Sequence, residues 1–216
     1  MKVSVYSSLL LSVIVQIITG IIEFTALFIK VPSRFLILKQ MMVLEVIVQI
    51  IEGTFYLYWL NNFKTITNIT PKRYLDWSIT TPVMLINLIF YMIFFQTNKD
   101  LDFFQVFNDE FYTIITVLLL NWVMLLFGYL GEIHAIPLLL GVFLGFIPFI
   151  IYYYIIYKKY GSNQLFFYFF IVWSFYGIAA VLPYKIKNMC YNILDLFSKN
   201  FFGIFLMYLL WKNKIK

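Results

Sequence analysis

The chain has 216 residues, of which 63% are hydrophobic, 22% aromatic and only 12% charged, with a net charge of +6 and a mean hydropathy of +0.89. Soluble domains run nearer half apolar and a quarter charged, and a water-soluble fold of this size could not hide so much apolar surface. A soluble enzyme and a disordered tail are excluded, the lipid bilayer is the solvent, and the scattered basic residues read as interface anchors rather than a nucleic-acid footprint.

A helical span with its share of loop takes roughly 25–32 residues, so about seven spans fit in this length. Seven apolar stretches are present. The first covers 3–29 and is closed by Lys30, Pro32 and Arg34. It is too long for a signal peptide and lacks a small-x-small cleavage site. The second covers 36–60, and a polar connection leads to the third, 72–95. The longest loop follows, Gln96 to Glu110, with Asp100, Asp102 and Asp109. The fourth span is 112–130, and a tight turn leads to the fifth, 137–157. His134, beside Glu132 in that turn, reads as a loop residue. The sixth is 165–184, and the seventh is 186–211 with a basic tail. The single cysteine, Cys190, allows neither an internal disulfide nor a thiolate metal site. No repeat or low-complexity linker interrupts the pattern. The expected architecture is all-α, one domain over 1–216, a seven-helix membrane bundle with short loops.

An odd number of spans puts the termini on opposite sides. With the tail in the cytoplasm, nine basic residues lie inside (Lys30, Arg34, Lys39, Lys99, Lys158, Lys159, Lys212, Lys214 and Lys216) and five outside (Lys2, Lys64, Lys72, Lys185 and Lys187). The positive-inside rule then favours an extracellular N-terminus and a cytoplasmic C-terminus.

Charges inside spans are costly and mark functional sites by default. Glu23, Glu45, Glu52, Arg73, Asp76, Asp195 and Lys199 all fall in apolar stretches. Their helical spacing puts each set on one face. Span one carries Ser8, Ser12, Gln16, Thr19 and Glu23, and span two Glu45, Gln49, Glu52 and Tyr56. Span three carries Arg73, Asp76, Thr80 and Asn87, and span seven Asn188, Asn192, Asp195 and Lys199. A stripe of 11 residues covers about 16 Å of axis, so four of them imply a polar interior through much of the bilayer. Polar glue between helices explains serine and threonine better than it explains five acids, an arginine and a lysine. Lys199 is too deep to reach the interface comfortably. A desolvated lysine amine is a nucleophile toward carbonyls and a Schiff-base former. Asp195, one turn earlier, and Asp76 are candidate counter-ions, and Arg73 can hold both carboxylates with its planar fork.

Several segments resemble microbial rhodopsins. Arg73-Tyr74-Leu75-Asp76-Trp77-Ser78-Ile79-Thr80-Thr81-Pro82 is similar to their third-helix signature. Asp195-Leu196-Phe197-Ser198-Lys199 is similar to their seventh-helix retinal lysine and second counter-ion. Trp173-Ser174-Phe175-Tyr176 resembles their sixth-helix aromatic pair, and Met124, Gly128 and Trp122 the fourth-helix pocket. The resemblance implies all-trans retinal on Lys199 as a protonated Schiff base, with Asp76 and Asp195 as counter-ions and Arg73 below them. Trp77, Thr80, Met124, Gly128, Trp173 and Tyr176 would line the chromophore. No enzymatic activity is implied. The pattern departs from the family at three places. Asn87 stands where bacterial outward pumps carry a proton-donor carboxylate, Gly177 replaces the sixth-helix proline, and Ala180 replaces a ring tryptophan.

Asn87 cannot donate a proton, which weakens a light-driven outward proton pump unless Glu45 substitutes. A channel needs a continuous polar lining. Ser12, Gln16, Glu45, Gln49, Glu52, Asn188 and Asn192 would face one another in the family fold, and their acids favour monovalent cations or protons. This finer pattern resembles the first group of viral rhodopsins, similar to channelrhodopsins. Glu23 and Arg34 would form a cytoplasmic constriction or a peripheral salt bridge. The expectation is a light-gated cation channel. An outward proton pump and a sensory rhodopsin signalling to a membrane partner are the alternatives, and the resemblance leaves a homo-oligomer open.

Overall fold

The computed structural model describes residues 2–215; Lys216, counted among the basic tail residues, lies outside them. The chain is helical nearly throughout. Helix α1 is Lys2–Ala26, α2 Leu36–Asn61, α3 Thr70–Gln96, α4 Phe103–Asp109, α5 Phe111–Glu132, α6 Leu138–Tyr160 and α7 Gln164–Ala180. Helices α8 (Tyr184–Asp195) and α9 (Phe201–Lys212) are joined by a π-helical turn, Leu196–Asn200, and make one span of 29 residues. Among the described residues five helices are long and apolar enough to cross a membrane, α7 is an apolar helix of 17 residues, and α2, with 26, completes seven.

Local chemistry sets the boundaries. Pro71 sits in the first turn of α3, where a missing N–H costs nothing. Gly161, at φ 69°, closes α6. The side chain of Asn163 accepts from Phe166 N at 2.9 Å and opens α7. Pro183 ends the sixth span and starts α8, so Tyr184 belongs to the seventh span rather than the sixth. The expected long loop contains α4. Asp102 caps it by accepting from Gln105 N at 2.8 Å, and Phe103 packs on Phe90 with ring centroids 4.7 Å apart.

The helices close into a ring. Each of α1, α2, α3, α5, α6 and α7 packs on the next, α7 meets α8, and the α8–α9 span returns to α1 and α2. The distribution of polarity is inverted relative to a soluble protein. Leu75, Leu139, Phe143 and Ile50 are 63–71% exposed, while Glu45, Glu52, Arg73, Asn87 and Asp195 are fully buried. Such an apolar exterior is stable only in lipid, so this is an integral membrane protein.

Candidate functional site

The π turn fixes the centre. It carries Lys199 and widens the seventh span by one residue in a turn, a distortion often found at functional sites. Lys199 is buried, and its Nζ donates to Asp76 Oδ2 at 2.8 Å. It also makes ion contacts with Glu52 Oε1 at 3.4 Å and Asp195 Oδ1 at 3.8 Å. The two aspartates differ sharply in support. Asp195 accepts from Tyr56 OH and Tyr176 OH, each at 2.6 Å, and pairs with Arg73 Nη1 at 3.2 Å. Asp76 Oδ1 has no protein partner.

Arg73 is fully enclosed. Its guanidinium donates to Asn188 Oδ1 at 3.1 Å, Tyr56 OH at 3.1 Å and Asn192 Oδ1. Its central carbon lies over four rings: Trp59 at 4.9 Å, Tyr56 and Tyr191 at 5.5 Å, and Phe55 at 5.8 Å. Three residues expected along an ion pathway also contact this centre. Glu52 faces Lys199, and Asn188 and Asn192 hold Arg73. Their spacing placed them on the interior face but could not say how deep on that face their partners stood.

Beside Lys199 opens a mostly apolar cavity, in part continuous with the outside. Small-molecule sites are mostly apolar. Trp77, Met124, Gly128, Trp173 and Tyr176 line it with Lys199. Thr80 does not; Thr81 does. Thr80 stands one turn after Asp76 and bonds the Asp76 carbonyl at 3.0 Å, whereas Thr81 stands one turn after Trp77 on the cavity face. Two glycines shape the wall. A Cβ on Gly128 would meet Tyr74 Oη at 2.8 Å, and one on Gly177 would meet the Phe146 ring at 2.5 Å. Tyr191, Phe146 and Ser198, which also line the cavity, carried no distinguishing signal in an aromatic-rich sequence.

On the other side of Lys199 polar side chains continue between α1, α2, α3 and the π turn. Asn87 Nδ2 donates to Glu45 Oε2 at 3.3 Å, and Gln49 Nε2 to Glu23 Oε1 at 3.3 Å. Asn200 Nδ2 donates to Gln49 Oε1 at 3.0 Å and Thr19 Oγ1 at 2.6 Å. Gln16 is buried with neither amide atom bonded to protein, and Ser12 bonds the Asn192 carbonyl at 3.2 Å. The expected Glu23–Arg34 constriction does not form. Arg34 donates to the Thr97 carbonyl at 3.4 Å and lies over the rings of Phe35 and Phe94, while Glu23 turns inward to Gln49. At the opposite end, Lys187 and Glu132 form a buried ion pair at 2.8 Å.

A family model described as bacteriorhodopsin-like protein matches residues 4–213. The chain belongs to that family. The crystal structure of viral rhodopsin OLPVRII is similar to this rhodopsin at 32% identity, with a TM-score of 0.86 over 96% of this chain and 98% of that one. The blue light-absorbing proteorhodopsin from Med12 (21% identity, TM-score 0.78, 96% of each chain) shares the fold. So does halorhodopsin, a light-driven chloride pump (17% identity, TM-score 0.69, 97% of this chain and 96% of that one). None of the curated proteins compared matches this chain. Microbial rhodopsins are retinal proteins that act as photoreceptors or ion transporters. The cavity fits such a chromophore. It is apolar, walled by two tryptophans and backbone at glycine, and open to one buried amine.

Proposed function

We propose that this rhodopsin carries all-trans retinal on Lys199 and works as a light-gated cation channel. Bound there, retinal supplies light absorption and a light-driven change of shape; the chain supplies position and electrostatics. Trp77, Met124, Gly128, Trp173 and Tyr176 would hold it. Asp76 and Asp195, backed by Arg73, would neutralise the positive nitrogen of Lys199. Asp76, with its free oxygen, is the carboxylate able to take a proton, while Asp195 is fixed by three donors. Glu52 is a third acid at the same nitrogen. Two cations thus face three carboxyls, and one proton shared among the acids balances the buried charge.

The observation that carries the channel reading is the polar seam beyond Lys199. Buried atoms of Gln16, Glu23, Glu45, Asn87 and Asn200 have no protein partner, and they lie on four facing helices. A buried polar atom left unpaired costs about 1–3 kcal/mol. A run of them is poor glue, but it is the lining that a partly dehydrated cation needs. The acids select cations over anions. We place the N-terminus outside, the C-terminus in the cytoplasm, and all 216 residues in one domain.

Whole-cell voltage clamp in retinal-supplied cells decides the matter. Photocurrents reversing near the cation equilibrium potential are expected. Outward current at every voltage would establish a proton pump instead. One observation favours that second reading: Glu45, hydrogen-bonded to Asn87, brings a carboxyl back to the position where the side chain at 87 cannot donate.

A further inference from the structure

Glu23 is fully buried three residues before the end of α1, and the seam alone does not explain how it fits there. Gly203, the third residue of α9, provides the space. A Cβ at 203 would stand 2.8 Å from Glu23 Oε2 and overlap Oε1 and Cδ. Only a residue without a side chain lets the carboxyl lie against the α9 backbone. What else holds Glu23 is slight. Gln49 donates to Oε1 at 3.3 Å, and Oε2 has no hydrogen-bond partner. No salt bridge to Glu23 occurs among the described residues, since Arg34 is engaged with Thr97 and two rings. Its seat therefore depends on shape rather than on a strong bond.

The same seat is tied to the light-sensitive lysine. Gly203 follows Lys199 by four residues, about one helical turn. Asn200, next to Lys199, donates to the Gln49 that holds Glu23. Any shift of the segment bearing Lys199 moves both the floor of the seat and the amide beside it. Close-packed contacts of this kind have discrete arrangements and do not stretch smoothly.

We propose that Glu23, seated on Gly203, is the plug at the cytoplasmic end of the seam, closed in the dark and unseated when α9 shifts under illumination. The proposal rests on the channel reading and adds its gate. Unseated, the carboxyl leaves the Gly203 backbone, moves further into the seam toward Glu45, and becomes a ligand for a passing cation.

Two measurements test it. The first is light-minus-dark infrared difference spectroscopy on the retinal-loaded protein in liposomes. A carboxyl band present in the parent and lost in Glu23→Gln is expected; Glu23→Gln adds no non-hydrogen atom and keeps the shape. The second is dark sodium uptake into the same liposomes. Gly203→Ala is expected to raise it about tenfold, equivalent to about 1.4 kcal/mol of gate bias, with the absorption maximum unchanged. Gly203→Ala combined with Glu23→Ala should leak no more than Glu23→Ala alone, because both act on the same plug. Light-driven cation flux without a Glu23 band overturns the plug and leaves the channel reading standing. A Glu23 band without cation flux in the parent overturns the channel reading and, with it, the gate, leaving only a light-driven movement of Glu23. A tight Gly203→Ala protein that still shows the band means that the carboxyl moves but does not seal.

Discussion

Asp76 and Asp195 sit beside the same lysine nitrogen, yet their surroundings assign them different work. Asp195 accepts from two tyrosines and an arginine, so its charge is anchored from three helices. Removing that charge leaves Arg73 buried without a carboxylate. Breaking a buried pair in this way costs about 3–5 kcal/mol. Asp195→Asn is therefore expected to lower the unfolding temperature markedly, read by loss of the visible band on heating in detergent. The Asp76 carboxylate has one hydrogen bond, from Lys199 itself. Asp76→Asn is expected to cost less stability and to move absorption to longer wavelength. A negative charge facing the Lys199 nitrogen holds the positive charge there in the ground state, and without it excitation needs less energy. Equal spectral and thermal effects in the two variants would contradict this division. Glycine 128 makes a separate expectation at the same scale. Its missing Cβ leaves room for the Tyr74 ring at the cavity wall. Gly128→Leu should abolish or strongly slow reconstitution with added retinal, measured as recovery of the visible band.

At the scale of elements, much of the arrangement could be read in advance, for identifiable reasons. Apolar runs separated by proline, glycine and charge mark helices because the bilayer forces every backbone group to bond within its own segment. The 4-3-4 spacing of Asn188, Asn192, Asp195 and Lys199 gives their common face, because a helix repeats every 3.6 residues. The π turn escapes that logic. Nothing in hydropathy signals a change from i+4 to i+5 bonding, and it brings Asn200 to Thr19 and Gln49, off the expected stripe. Thr80 and Thr81 show the same limit. Both belong to the signature segment, but 100° of helix rotation separates the acid face from the cavity face. Glu132 and Lys187 were hidden by distance, 55 residues apart and each beside a loop. Their ion pair links the end of α5 to α8 and is 7% exposed on both sides. Lys187→Met should destabilise by about 3–5 kcal/mol by stranding Glu132, and adding Glu132→Leu should recover most of the loss. Thermal denaturation of the two variants checks it; a single variant as stable as the parent would mean the pair is solvated.

For the whole molecule, the exchange of inside and outside decides what a buried polar residue is for. Apolar side chains face lipid all around the ring, so no hydrophobic drive holds the helices together. Polar contacts between helices could serve as glue, and for Asn188 or Tyr56 on Arg73 they do. Gln16 is different: it is buried on α1 with no protein partner at either amide atom. A glue residue replaced by leucine should weaken the bundle. A lining residue replaced by leucine should strengthen it, since burying an unpaired amide costs about 1–3 kcal/mol, and block the seam at the same stroke. Gln16→Leu is thus expected to raise the unfolding temperature slightly, keep the absorption maximum, and reduce photocurrent several-fold. The combination separates the two roles, because glue predicts lost stability with current reduced only as far as folded protein is lost. A destabilised Gln16→Leu protein with full current per folded molecule would remove Gln16 from the lining.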